Sequence, residues 1–238
     1  MDKQLQAALL SAMLCRQGQT EITVTGYSME PTFFEGDRIT VEKSESYAVG
    51  DILVFTDHGN LLVHRLLEIG EYYLCKGDNA FRTESIPAAQ ILGKVISVSG
   101  RPLEAWPAWK IAFSRRVNAA FRTHDYSIAK TKPTPIYRAY SALVLQKEDP
   151  TMKYQKNSKM DYIQTDEASL AVFDPASGDT HFFDEVGIDI LNCLAEPTAL
   201  DELLAKLCAI YSATPDDIRA DVVEFLGETV EKGVVLAV

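Results

Sequence analysis

Glycine followed by a polar residue punctuates the N-terminal part of this chain so regularly that no long helix fits between the breaks. The pairs Gly36-Asp37, Gly50-Asp51, Gly59-Asn60 and Gly77-Asp78 separate short apolar stretches. These stretches, Glu21 to Thr25, Arg38 to Val41, Ile52 to Phe55, Leu61 to Leu67, Tyr72 to Lys76 and Leu92 to Val98, have strand length and strand composition. At Asp57-His58-Gly59-Asn60 a glycine between polar residues supplies the positive φ of a tight hairpin. Many short strands joined by such turns predict a twisted antiparallel sheet or partly open barrel. Ahead of them, Leu5, Ala8, Leu9, Ala12 and Met13 recur at helical spacing, so Asp2 to Arg16 reads as a helix ended by Gly18, with its apolar stripe capping the sheet.

Composition narrows the partners. The chain has 238 residues, 47% hydrophobic and 24% charged, which is ordinary for soluble globular proteins and long enough for two domains. A net charge of −11 argues against nucleic acid as a partner, because phosphate contacts need a basic face. The charge is uneven: Arg101 to Arg138 is basic and the stretch beyond Asp161 acidic, as expected of separate modules. Cys15, Cys75, Cys193 and Cys208 are scattered, with neither zinc-ligand spacing nor a disulfide framework, so no metal or other cofactor is expected. With no secretory signature and no apolar run of about 18 residues, the chain is expected in the cytoplasm.

The stretch Gly26-Tyr27-Ser28-Met29-Glu30-Pro31 carries the first chemistry. A strand runs into a glycine with no Cβ to crowd an approaching peptide, and Pro31 stops the strand, so the Ser28 hydroxyl is presented at a bend. His64 lies in the strand Leu61 to Leu67 on the face of Leu62 and Leu66, a pattern that also suits a core histidine. Taken in order, Val24 to Pro31, Gly36-Asp37-Arg38-Ile39, Gly50 to Phe55, Val63-His64-Arg65, Lys76-Gly77-Asp78-Asn79 and Ile91 to Val95 resemble the motif series of type I signal peptidases. The resemblance covers roughly residues 20 to 100 and is closest to the branch whose general base is His. It implies Ser28 as nucleophile and His64 as base, with Gly26, Met29 and Pro31 lining the substrate path. It implies cleavage after small residues at the first and third positions before the bond. The member that orients the histidine is left open between Asp78, which matches the family's Gly-Asp, and Glu84, which stands where that branch has an aspartate. A histidine with a pKa near about 6.5 suits such a base. The Ser28 N–H is one oxyanion donor; Gly26 stands where many bacterial members carry a second, hydroxyl donor. Lys43 and Lys76 do not stand where a lysine base is found in the family.

Signal peptidases work at a membrane face, and this chain shows no spanning helix. Trp106, Trp109, Ile111, Phe113, Val117 and Phe121, interleaved with Lys110, Arg115, Arg116 and Arg122, read either as an interfacial amphipathic helix making peripheral contact with the inner membrane face or as a helix packed on its own domain, the preferred reading. The prolines Pro133, Pro135 and Pro150 mark Thr123 to Thr151 as a linker or irregular connector.

Beyond Lys159 three strands, Met160 to Thr165, Ser169 to Phe173 and Thr180 to Phe183, precede three helices, Glu185 to Leu194, Ala199 to Tyr211 and Pro215 to Lys232. Thr198 and Thr214 are expected as N-caps, and Gly233 ends the last helix. This order, with Asp184-Glu185-Val186-Gly187 and Val222 to Leu226, resembles the PqqD family, which binds leader segments of ribosomally made, modified peptides. The resemblance implies that a leader adds a strand beside Thr180, His181, Phe182 and Phe183 and lies against Val222 and Phe225.

The expected architecture is therefore a mainly β, signal-peptidase/LexA-like domain over 1–104, a basic helix and linker over 105–157, and an α+β, winged-helix-like domain of three strands and three helices over 158–238. The expected function is a serine endopeptidase that captures a precursor's leader and cleaves it. A non-catalytic adaptor presenting a precursor to a modifying enzyme or exporter is the alternative. A self-cleaving repressor of the Ser/Lys type is disfavoured, since no DNA-binding module precedes the sheet and His replaces Lys.

Overall fold

Short strands closed by tight turns can bury an apolar face only by pairing with one another, and the computed structural model has the N-terminal part doing so. It describes residues 3–80, 82–122, 134–147, 149, 151–166 and 168–238. The chain divides into two units, Met1–Thr123 and His124–Val238.

In the first unit, helix α1 (Lys3–Gln17) ends at Gly18, whose φ of +75° suits a residue without Cβ. Strands β1 (Gln19–Thr23), β2 (Arg38–Glu42), β3 (Ile52–Asp57), β4 (Asn60–Ile69), β5 (Tyr73–Lys76), β6 (Thr83–Ile86) and β7 (Ile91–Val98) form an antiparallel sheet in the order β1-β2-β7-β3-β4-β5-β6. A short β8 (Arg101–Pro102) pairs with β7. The β3–β4 hairpin turns through His58 and Gly59, both at positive φ, with Asp57 opposite Asn60. One face of the sheet buries Ile39, Val41, Ile52, Val54 and Val95 with Leu10 and Leu14 of α1 and with Met29 and Phe33. The other buries Leu53, Phe55, Leu66, Cys75 and Ile86.

Helix α2 (Ala108–Arg122) carries aromatic and basic residues along its length. Trp109 and Ile111 are each 7% exposed, and Phe113 and Val117 are fully buried. These residues of the apolar stripe are thus packed inside their own unit, and Arg115 on the same helix pairs with Glu68 of β4. Among the described residues no helix is long and apolar enough to cross a membrane.

In the second unit, strands β10 (Asp161–Asp166), β11 (Ser169–Phe173) and β12 (Thr180–Phe183) form a three-stranded antiparallel sheet with β12 at one edge. Helices α4 (Glu185–Cys193), α5 (Leu200–Tyr211) and α6 (Pro215–Lys232) follow, so the unit is α+β. Asp184 caps α4 by accepting from the Gly187 N–H. The Asp217 carboxylate accepts from both the Thr214 N–H and its hydroxyl at the start of α6. Thr198 is not a cap. It pairs as a strand residue with Tyr154, its hydroxyl donates to the Glu196 carbonyl, and Ala199 stands at the cap position of α5.

The connector read across 123–151 lies partly outside the described residues, at 123–133, 148 and 150. The described residues of this stretch form regular elements. Pro135 opens helix α3 (Pro135–Leu143), a position that needs no N–H, and Ala139, Tyr140 and Leu143 are buried at helical spacing. Strand β9 (Lys153–Lys156) then pairs with both β13 (Thr198–Ala199) and β14 (Val235–Ala237). Arg138 grips Asp149 with two nitrogens, holding that carboxyl down to about 2.

Candidate active site

Three elements meet at Ser28. The segment after β1 stays extended to Val24, whose N–H and C=O bond Asp37 and Gly36, and then bends at Gly26. Gly26 has φ +90° and open space where a Cβ would be, so its requirement is the left-handed backbone rather than relief of a clash. Met29 plugs the turn into the core at 2% exposure. Its side chain anchors Ser28 from below and does not face a peptide, which corrects its place among the substrate-lining residues. Pro31 and Ser28 are half-buried on the turn.

The second element is the turn after β5. A Cβ on Gly77 would lie 2.6 Å from the Ser28 carbonyl oxygen and 2.9 Å from the Ser28 Cβ, so only glycine permits this approach. The Asn79 N–H donates to that same carbonyl at 2.8 Å, and the Asn79 side chain donates to the Tyr27 carbonyl at 3.1 Å.

The third element is β4, which brings in His64. Its register opposite Leu53 puts the ring on the face of Phe55 and Leu66, where it is 5% exposed and meets the Phe55 ring edge-on. His64 Nε2 lies 3.0 Å from Ser28 Oγ, and His64 Nδ1 lies 2.8 Å from Glu84 Oε2. Strand β6 delivers Glu84 opposite Cys75. Because a carboxylate only accepts, the Nδ1 proton points at Glu84 and leaves the Nε2 lone pair to the Ser28 hydroxyl. The arrangement can move a proton from Ser28 to the imidazole while Glu84 holds the ring.

Asp78 faces elsewhere. It accepts from Arg65 Nε at 2.9 Å and Arg65 Nη2 at 2.8 Å, and from the Thr32 hydroxyl. Arg65 and Asp78 are 2% and 1% exposed, and Arg65 also donates to the Gly50 carbonyl and stacks on Trp106 at 3.9 Å. This buried pair ties the Ser28 turn, through Thr32, to β4 and the turn after β5. Thr32 and Trp106 had no signal in the sequence as supports of the site; an arginine inside an apolar strand, Arg65, was the one clue.

The two lysines considered for a Ser/Lys arrangement have partners of their own, and Lys76 Nζ donates at 3.3 Å to the carbonyl of Gly77, the residue packed on Ser28. Lys43 Nζ donates to Cys15 at 3.3 Å. Lys76 Nζ donates to Ser114 of α2 at 3.1 Å and is pulled down to about 8 by burial, which disfavours its charged form.

The second unit has a separate groove of about 520 Å³ between β12 and α6, whose walls include Thr180, Phe182, Phe183, Phe225 and Lys232. His181 lines it too, and Phe182 is 76% exposed on the edge strand. The Phe183 and Phe225 rings pack tilted, with centroids 5.8 Å apart, over Gly187, where a Cβ would meet both side chains within 3.3 Å. Val222 is 4% exposed and belongs to the core beneath, so the expectation that it touches a leader is corrected.

No curated protein matches the chain. Two family models do: residues 4–96, which hold Ser28, His64 and Glu84, match the family described as Peptidase S24-like, and residues 169–235, which hold the β12–α6 groove, match the family described as Coenzyme PQQ synthesis protein D (PqqD).

Proposed function

We propose that this protein is a serine endopeptidase that binds the leader of a ribosomally made precursor peptide in the β12–α6 groove and cuts the precursor at Ser28. The observation that carries the reading is the unbroken hydrogen-bond series Ser28 Oγ to His64 Nε2 and His64 Nδ1 to Glu84 Oε2. In the reaction, His64 takes the Ser28 proton as the hydroxyl attacks the scissile carbonyl, and returns it to the leaving amine as the C–N bond breaks. Water then attacks the acyl ester, giving up a proton to His64, which returns it to Ser28 Oγ as the bond from Oγ to the acyl carbon breaks, and the second product leaves with a free carboxyl. The Ser28 N–H is the oxyanion donor on the nucleophile's own backbone. Glu84 acts by fixing ring orientation and stabilising the imidazolium.

Leader capture is supported by the edge of β12, which among the described strands pairs only with β11, beside an apolar floor of Phe183 and Phe225. Joining capture and cutting in one chain raises the local concentration of the bond at Ser28, to roughly millimolar for a short flexible connection. The test is to incubate the full chain with short peptides encoded beside its gene and follow their masses. Intact protein is expected to yield two fragments, and Ser28→Ala to lower the rate by about 10⁴-fold or more while peptide binding persists. Binding without fragments in the intact protein would leave an adaptor that presents a precursor to a modifying enzyme or exporter.

A further inference from the structure

The buried face of α2 is not wholly apolar. Among Trp109, Ile111, Phe113 and Val117 stand Ser114 and Asn118, one turn apart and only 1% and 8% exposed. Polar side chains at such depth lose their hydration and are held there by hydrogen bonds. Ser114 Oγ accepts from Lys76 Nζ at 3.1 Å, and Asn118 Nδ2 donates to Thr83 Oγ1 at 3.4 Å. Lys76 ends β5, Thr83 opens β6, and the two stand directly opposite each other in the antiparallel ladder. Residues four apart on a helix are spaced by about 5–6 Å, and directly opposed residues of two strands by about 4.5–5.5 Å. One turn of α2 therefore matches one rung of the β5–β6 ladder.

Each end of that rung is one residue away from the candidate site. Lys76 precedes Gly77, whose missing Cβ makes room for Ser28, and Lys76 Nζ also donates to the Gly77 carbonyl at 3.3 Å. Thr83 precedes Glu84, the carboxylate that lies 2.8 Å from His64 Nδ1. Side chains alternate along a strand, so Cys75 and Glu84 share one face of the ladder, and Lys76 and Thr83 the other. Helix α2 thus bonds the ladder on the face that does not carry Glu84, and it acts on the reacting groups through the backbone of the two strands. Apolar packing is non-directional. The two polar contacts, with defined partners and distances, fix where along the strands the helix sits.

We propose that Ser114 and Asn118 of α2 are positioning residues for this site: Ser114 acts through Lys76 and Gly77 on the Ser28 turn, and Asn118 acts through Thr83 on Glu84 and so on the His64 ring. The proposal rests on the peptidase reading given above and extends its machinery to a helix that lies beyond the matched residues 4–96. A reacting constellation has to be held to within about 0.5 Å of its productive geometry. Two buried bonds from one rigid helix, one behind the nucleophile and one behind the carboxylate, supply that restraint.

The test uses the full chain and reads the imidazole directly. In the intact protein the ring-nitrogen NMR shifts of His64 are expected to report a proton held on Nδ1, as its Glu84 partner requires. In folded Asn118→Leu protein they are expected to move toward those of Glu84→Gln, in which the ring has lost its carboxylate. Thr83→Val, which removes the same contact from the strand side with little change of shape, is expected to do likewise and serves if the helix variant does not fold. Ser114→Ala is expected to lower kcat for a short peptide spanning only the cut by about tenfold or more, with KM little changed. Arg115→Ala, which removes the exposed ion pair between the same helix and Glu68, controls for docking alone and is expected to change neither the shifts nor kcat. Unmoved His64 shifts in both Asn118→Leu and Thr83→Val, an unchanged kcat in Ser114→Ala, or an equal loss in Arg115→Ala would overturn the proposal. The two readings fail separately: displaced His64 shifts in a protein that cuts nothing would keep the positioning role and remove the peptidase, and cutting with unmoved shifts would do the reverse.

Discussion

Two carboxylates lie close to His64 in sequence, and their surroundings give them different work. Glu84 reaches Nδ1 of the imidazole, with its side chain 16% exposed. Asp78 is enclosed with Arg65, and removing one partner of such a buried pair leaves an uncompensated charge that costs about 3–5 kcal/mol. Glu84→Gln is therefore expected to lower kcat by between about 100-fold and 10⁴-fold with little change in thermal midpoint, because the amide presents the wrong partner to the ring. Asp78→Asn is expected to lower the unfolding free energy by about 3 kcal/mol, with activity lost in proportion to the folded fraction. Parallel calorimetry and peptide-cleavage rates separate the two. A Glu84→Gln protein with full activity would remove Glu84 from the reaction.

At the scale of elements, the docking of α2 on β5 depends on a buried amine. Lys76 ends β5, and its Nζ bonds Ser114 of α2. Its folded pKa, lowered from 10.5 to about 8, means that between these values the unfolded chain holds more protons than the folded one. Stability consequently rises with pH from about 8 upward through this group. Cys75, the preceding residue, acts in the opposite sense: burial raises its thiol from 9.0 to about 12, so the folded state keeps a proton that the unfolded state loses. The urea midpoint is expected to rise between about pH 8 and 9 and flatten above, where the two effects oppose each other. Lys76→Met is expected to abolish the rise. A flat profile in the intact protein over that first interval would show that the amine is not held neutral by its surroundings.

For the whole molecule, the first unit holds the Ser28–His64–Glu84 series and the second the β12–α6 groove, and the proposed activity uses both. A substitution in the β12–α6 groove should act on capture and leave the chemistry at Ser28 untouched. Phe225→Asp puts a charge beside Phe183 on the groove floor. It is expected to raise KM at least tenfold for a full precursor that carries its leader, while kcat/KM for a short peptide spanning only the cut stays within about twofold, as expected when tethering supplies the affinity. Equal losses on both substrates would mean that the second unit does not serve as the capture module.

The strand sequence of the first unit, the hairpin at His58-Gly59 and the three-strand, three-helix order of the second were legible in the chain, because turn glycines, period-two alternation and helical spacing are local properties. So were Ser28 and His64 as candidates, through an ordered motif series. The choice between Glu84 and Asp78 was not legible: both carboxylates fit the motifs, and strand register alone puts one beside His64 and the other beside Arg65. Met29 and Val222 looked like contacts and proved to be core, since a side chain's direction at a turn or on a helix is set by what packs behind it. The same reason hid α3 and β9 in an apparent connector: Pro135 reads as a breaker until Ala139, Tyr140 and Leu143 have something to pack on. What the sequence determined by itself was local conformation and the kinds of chemistry on offer; tertiary packing decided which groups, distant along the chain, share a face, because burial and hydrogen-bond satisfaction are settled only when the strands are in register.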